Sequence, residues 1–356
     1  YKSRLDNNTN FVPTYESRNS IHPIYSFSSD DYYGFMEDQE GAWVEESSGD
    51  HTLDIGVGRI PVKSEDEAID IVNKIIRYAT SDQVTGNWKT KISYVADDGD
   101  GSTHMRHAEQ LSERLEGNHT EVLFNKLYVD DVEQEMDGSD EIAPSFNSQI
   151  KSALSQGTFL VNYIGHGNEF QWMDENVLND EEIDNLSYRS RLPIFVTATC
   201  QFGRYDDPDF FSGSEKLLLN PNGGAIALLT TTRPVFSSTN LPVNQAFHDA
   251  LFEVTDGQYP RLGDIIKKTK NESLRGPVNR NFTLLGDPFL MLDYPDYHVE
   301  LTNVNGVNLT TDVDTLSALE EINIEGTIKN FQGLVVQDFN GQVEILLLDT
   351  PSAART

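Results

Sequence analysis

The sequence predicts an α/β protein built on a parallel sheet with helices on both faces. Three observations carry the prediction. Strand-like and helix-like segments alternate along most of the chain. Two of the strand-like runs are almost continuously apolar, as strands buried on both faces are. The chemically most reactive residues also follow those runs directly, where open parallel sheets gather functional groups.

The elements follow in chain order. Residues 1–53 are polar and aromatic-rich, with Tyr25-Ser-Phe-Ser-Ser-Asp-Asp-Tyr-Tyr-Gly34, and read as irregular structure or short edge strands. Asp54-Ile-Gly-Val-Gly-Arg-Ile-Pro61 reads as an extended segment. Ser64, with Glu67 three residues on, opens a helix whose apolar positions are Ala68, Ile71, Ile75 and Ile76. Strand-like runs follow at Ile92–Ala96, Val122–Tyr128, Thr158–Ile164, Ile194–Thr199 and Ala225–Thr231. Helix-like runs lie between them at 103–116, 146–156, 212–219 and 240–253. Alternation of this kind gives a parallel sheet covered on both sides. After Leu292 the texture changes: Tyr294-Pro-Asp-Tyr-His298 reads as a linker. Val299 to Leu348 shows period-two runs, Ile322–Ile328 and Val343–Leu348, with Gly turns between, which predicts a small β-sandwich. The domain reading is 1–53 as an N-terminal segment, 54–293 as the α/β domain and 298–356 as the sandwich, cut short at Thr356.

Composition narrows the function. Among 356 residues, 58 are acidic and 26 basic, a net charge of -32. Such a surface repels phosphate backbones and argues against a nucleic-acid partner. No run approaches the roughly 20 apolar residues of a membrane span. The chain begins at Tyr1 without an initiator methionine or a signal peptide, and so reads as a piece of a longer protein.

The strand ends deliver the chemistry. Ile164 is followed by Gly165-His166-Gly167-Asn168, Thr199 by Cys200-Gln201-Phe202-Gly203, and Ala96 by Asp97-Asp98-Gly99-Asp100. Cys200 is the only cysteine. Alone it reads as a small core residue, and a lone strand-end His as structural. Together they sit 34 positions apart with one helical crossover between, so adjacent parallel strands bring them within reach. A thiolate nucleophile, an imidazole that exchanges its proton and a carboxylate that fixes the imidazole make an acyl-transfer site. The amides of Gly167 and Cys200 are the natural oxyanion donors. Asp206, Asp207 and Asp209 read as a solvated acidic loop or a calcium ligand set. His107, His119 and His248 have no partner pattern and read as surface or helix residues.

Several segments resemble a known family. Val161-Asn-Tyr-Ile-Gly-His-Gly-Asn-Glu-Phe-Gln-Trp172 is similar to the histidine segment of the gingipain-type cysteine peptidases. Thr197-Ala-Thr-Cys200 is similar to their nucleophile segment, and Asn281-Phe-Thr-Leu-Leu-Gly-Asp-Pro-Phe-Leu290 to the segment closing their catalytic domain. The stretch 200–204 and Gly223-Gly-Ala-Ile-Ala-Leu-Leu-Thr-Thr-Thr-Arg233 are closer to the PorU-type sortase branch of the type IX secretion system.

The resemblance covers about residues 54–292 and implies a caspase-like fold followed by an immunoglobulin-like β-sandwich. It implies Cys200 as nucleophile, His166 as base and Asp98 as the acid orienting His166, where gingipains carry glutamate. Asp97 and Asp100 stay open as alternatives. It places Glu169, Trp172 and Phe236 around the substrate, and His104 where arginine-specific members carry a pocket aspartate, so strict basic-residue cleavage is not expected. It requires no cofactor and allows structural calcium. As partners it implies protein substrates with C-terminal sorting domains, a lipopolysaccharide acceptor and other secretion-system components at the bacterial outer membrane. The competing readings are a plain secreted peptidase and a non-catalytic acidic surface module with a structural Cys200.

Overall fold

The computed structural model describes residues 11–17, 22, 26–41, 48–81, 86–119, 121–138, 140–309, 316, 319–330, 332–343 and 345. Its strands in chain order are β1 (Lys91–Ala96), β2 (Leu123–Tyr128), β3 (Glu135–Asp137), β4 (Asp140–Ile142), β5 (Leu160–Ile164), β6 (Ile194–Ala198), β7 (Ala227–Thr231), β8 (Phe282–Leu285), β9 (Tyr297–Val304), β10 (Val307–Asn308) and β11 (Ile324–Asn330). The helices are α1 (Glu65–Thr80), α2 (Gly99–Glu116), α3 (Pro144–Gln156), α4 (Asp180–Asp184), α5 (Gly213–Leu219), α6 (Ser237–Leu251) and α7 (Leu262–Glu272).

The apolar runs become central strands. A six-stranded sheet has the order β2-β1-β5-β6-β7-β8. All its pairings are parallel except β7–β8, which is antiparallel. Side chains alternate across each strand, and the two faces carry separate cores. Ile194, Val196 and Ala198 of β6 pack with Ala108 and Leu111 of α2, Val243 and Phe247 of α6 and Ile265 of α7. Phe195, from the same strand, packs with Ile71 of α1, Phe146 and Ile150 of α3, and Leu217 of α5 on the other face.

Local signals set the helix starts. Ser64 Oγ accepts the amide of Glu67, as the capping pattern predicts. Along α1, Ile71 is buried while Ile76 turns outward. The stripe is completed by Lys74, whose buried ammonium donates to the carbonyls of Leu218, Asn220 and Gly223 at 2.8–2.9 Å. It thereby satisfies the C-terminal end of α5. Burial pulls this lysine down to about 7.

The chain divides into two units, 1–294 and 295–356. In the first, the described part of the N-terminal segment is bound by buried ion pairs, and is not a loose edge. Asp30 holds Arg59 at 2.6 Å, and Asp31 holds Lys270 at 2.8 Å and Arg280 at 3.2 Å. Arg59 also donates its amide to Leu284 O, laying the predicted extended segment along β8. In the second unit the described strands form one antiparallel sheet, β10-β9-β11. The predicted Val343–Leu348 run lies largely outside the described residues.

The strand order reverses between β1 and β5: the chain leaves β1 outward to β2 and returns to β1's other side as β5. Such a reversal opens a crevice beyond the carboxyl ends of the two strands. Asp97 follows β1 and Gly165-His166 follows β5 on the two sides of that crevice.

Candidate active site

Register brings the thiol and the imidazole to equivalent places. Ile164 of β5 pairs with Ala198 of β6. His166 and Cys200 each lie two residues beyond that pair, on neighbouring parallel strands. The half-exposed imidazole and the partly buried thiol share no hydrogen bond. Cys200 Sγ donates instead to Val235 O, at 3.8 Å.

The backbone of His166 is fixed on both sides. Its amide donates to Asp97 Oδ2 at 2.7 Å. Its carbonyl accepts from Met173 N at 3.0 Å and from the Tyr163 hydroxyl. Asp97, only 4% exposed, also accepts the Gly99 amide through Oδ1 at 3.0 Å. Gly99 has to be glycine here: a Cβ would lie 2.7 Å from His166 Cδ2.

After Asp97 the chain takes an unusual path. Asp100, Gly101 and Ser102 are all left-handed, with φ of 55°, 61° and 60°, a conformation costly for the two non-glycine residues. This turn swings the Asp100 carboxylate back over the ring, with Oδ2 at 3.6 Å from His166 Nε2. Asp98 points elsewhere, accepting Gln134 Nε2 at 2.8 Å. No ion pair or hydrogen bond joins Asp98 to His166 among the described residues. Asp98 instead neighbours Glu175, a buried carboxyl pushed up to about 7 by burial, with the charges of Asp98 and Asp97 adding to the rise. The expectation that Asp98 faces the imidazole is therefore corrected: Asp97 and Asp100 are the acids in contact with His166.

The nucleophile loop is held as firmly. Thr231 Oγ1 donates to Thr199 O, Gly203 N to Thr231 O at 2.8 Å, and Ser214 N to Phe202 O at 3.1 Å. Phe202 is fully buried, and Gln201 has φ 60°. Cys200 is thus presented on a tight turn anchored behind by a core phenylalanine. The amides of Gly167 and Cys200 have no acceptor among the described residues, so both remain available as donors.

The expected pocket residues separate into two groups. Phe236 is 47% exposed and directly follows Val235, beside the thiol. Glu169 is held by Arg204 at 3.0 Å, and Arg204 also reaches Asp207 at 3.2 Å. Trp172 is fully buried, stacked on Tyr163 with centroids 4.2 Å apart and lying against Phe195 and Phe202. It supports the His166 loop from the core and cannot touch a substrate. His104 is 4% exposed and packs edge-on against His166, ring centroids 5.1 Å apart, so it is a neighbour of the imidazole and not a pocket floor. Burial lowers its pKa.

Two carboxylates of the acidic loop are held by arginines. Asp206 is engaged through both oxygens by Arg233, at 2.8 and 2.6 Å, and Asp207 by Arg204. His248 is a helix residue but not a surface one: it is 1% exposed, with Nε2 3.0 Å from Tyr94 Oη and Nδ1 2.7 Å from Asn244 O.

Comparison with known proteins bears on the family and the fold. A sequence profile for peptidase family C25 matches residues 2–293. The crystal structure of the Arg-specific cysteine proteinase gingipain R has a TM-score of 0.60 at 18% identity, covering 77% of this chain and 62% of that one. The complex of Porphyromonas gingivalis RgpB pro- and mature domains gives 0.59 at 17% identity, covering 77% and 63%. Dimeric latent PorU from Porphyromonas gingivalis gives 0.34 at 20% identity, covering 92% of this chain and 25% of that one. This chain therefore spans under two thirds of the length of the first two. No curated protein sequence matches it.

Proposed function

The chain belongs to peptidase family C25, the gingipain-type cysteine peptidases, and from that premise we propose that Cys200 and His166 are its catalytic pair. One observation carries the proposal: the β5–β6 register places both residues at the same height, two positions past a paired couple. Cys200 Sγ attacks the substrate carbonyl as its proton passes to His166, and the amides of Gly167 and Cys200 receive the developing oxyanion. Nε2 of His166 faces Asp100, so Nδ1 is the nitrogen left for proton exchange. The imidazolium returns the proton to the leaving amine, and a thioester remains on Cys200.

The second half of the reaction decides the biological role. A thioester is open to amines as well as water, and an amine held in line gains a large effective molarity. The resemblance of residues 200–204 and 223–233 to PorU-type sortases supports transfer to an amine, in which C-terminal sorting domains are removed from secreted cargo at the bacterial outer membrane and the cargo passes to lipopolysaccharide. No helix among the described residues is long and apolar enough to cross a membrane. The test is to incubate enzyme and sorting-domain cargo with rising glycine amide, or with lipopolysaccharide, and to weigh the new cargo C-terminus. An amide adduct that grows with amine supports transfer. A free carboxylate at every concentration leaves a hydrolase.

A further inference from the structure

The geometry points to a site beside the proposed catalytic pair: we propose that Asp97, His104 and His166, closed by Asp100, bind one divalent transition-metal ion such as zinc. Bound there, the ion takes Nε2 of His166 and switches the peptidase off reversibly. The switching rests on His166 being the base, but the binding does not.

Three observations carry it. One ligand atom each from Asp97, His104 and His166 lies within 4.8 Å of the others. Asp100 Oδ2 stands 3.5 Å from His104 Nε2 and 3.6 Å from His166 Nε2. Two ligands of a tetrahedral zinc, each about 2.0–2.1 Å from the metal, lie about 3.3–3.4 Å apart. Asp100 and the two imidazoles therefore stand almost at coordination spacing before any ion arrives.

The third observation is His104 itself. It is 4% exposed, and neither of its ring nitrogens has a hydrogen-bond partner. Burying polar atoms unpaired costs about 1–3 kcal/mol and calls for an explanation. Two imidazoles and two carboxylates suit zinc and its neighbours, whereas calcium requires six to eight oxygens. Asp97 already accepts two backbone amides, which fixes its orientation as partners behind metal ligands do.

The test uses binding and not turnover. Zinc chloride is titrated into the full chain carrying Cys200→Ala, which removes the thiolate, and binding is followed by calorimetry, with cobalt(II) absorption as a second readout. The expected result is one ion per chain, a cobalt spectrum without thiolate charge transfer, no competition from calcium chloride, and at least a roughly tenfold weaker Kd in His104→Phe. His104→Phe should keep or raise the melting temperature, because it removes two unpaired nitrogens. Should that variant fail to fold, Asp100→Asn, at an exposed position, must weaken binding instead. Loss of binding in Cys200→Ala, an unchanged Kd in His104→Phe, or an unchanged Kd in Asp100→Asn where that variant stands in, would each overturn the site. A metal that binds as expected while the peptidase reading fails leaves the site standing.

Discussion

Asp97 Oδ2 accepts the backbone amide of His166 at 2.7 Å, tying together two loops 69 positions apart in the chain. The carboxylate bonds to the main chain and so fixes where the imidazole stands. Asp97→Asn replaces one acceptor oxygen with a donor facing an N–H. The expected cost is about 1–3 kcal/mol of stability, with a fall in kcat larger than any change in KM. Denaturant unfolding and steady-state kinetics check both.

Asp100, not Asp98, is expected to support the imidazolium. Its 3.6 Å separation from Nε2 is long for a hydrogen bond, but catalytic contacts commonly tighten when substrate binds. Asp100→Asn should lower kcat by about 10²–10⁴-fold, while Asp98→Asn should lose less than about tenfold. The reverse order would return the role to Asp98.

Much of this site is legible in the sequence, and the parts that are not have identifiable causes. Buried apolar runs locate β5 and β6, so the strand-end placement of Cys200 and His166 follows from counting past their ends. The acid did not follow. Extending the β1–β5 register from Ala96–Ile164 would pair Asp98 with His166. The ladder instead ends with Asp97 N donating to Ile164 O, and three left-handed residues redirect the chain. Of those three only Gly101 announces such a turn. Trp172 differs from expectation because an aromatic beside a site residue reads alike whether it faces substrate or core. The α7 helix and antiparallel β8 went unread as elements, although the residues of β8 carried family resemblance. The resemblance marks His104 only as a pocket position; its proximity to His166 cannot be read from the sequence, because it depends on the same turn.

Trp172 and Phe236 should separate stability from binding. Trp172→Ala empties a packed site between Tyr163, Phe195 and Phe202, and should cost about 3–5 kcal/mol. Phe236→Ala, at a half-exposed position, should shift the melting temperature little and raise KM. Thermal unfolding and substrate titration of both variants decide this.

His248 should make the fold acid-sensitive. Asn244 O can only accept, so Nδ1 carries the proton and Nε2 accepts from Tyr94. Burial depresses the pKa to about 4 from an ordinary 6.5. Between those values the unfolded chain binds more protons, so stability is full above about 6.5 and falls as pH drops through 4. The loss should reach about 3 kcal/mol. His248→Gln should flatten unfolding free energy against pH over that window, and an unchanged slope would exclude His248 as its source.

A thioester at Cys200 is the central intermediate of the proposed reaction, and intact-protein mass spectrometry of rapidly acid-quenched turnover tests for it most directly. The predicted result is a mass increase equal to the N-terminal substrate fragment, mapped by peptide digestion to Cys200 and absent from Cys200→Ala, which should stay folded and inactive. Sustained cleavage by Cys200→Ala, or an adduct mapped to another residue, would contradict it.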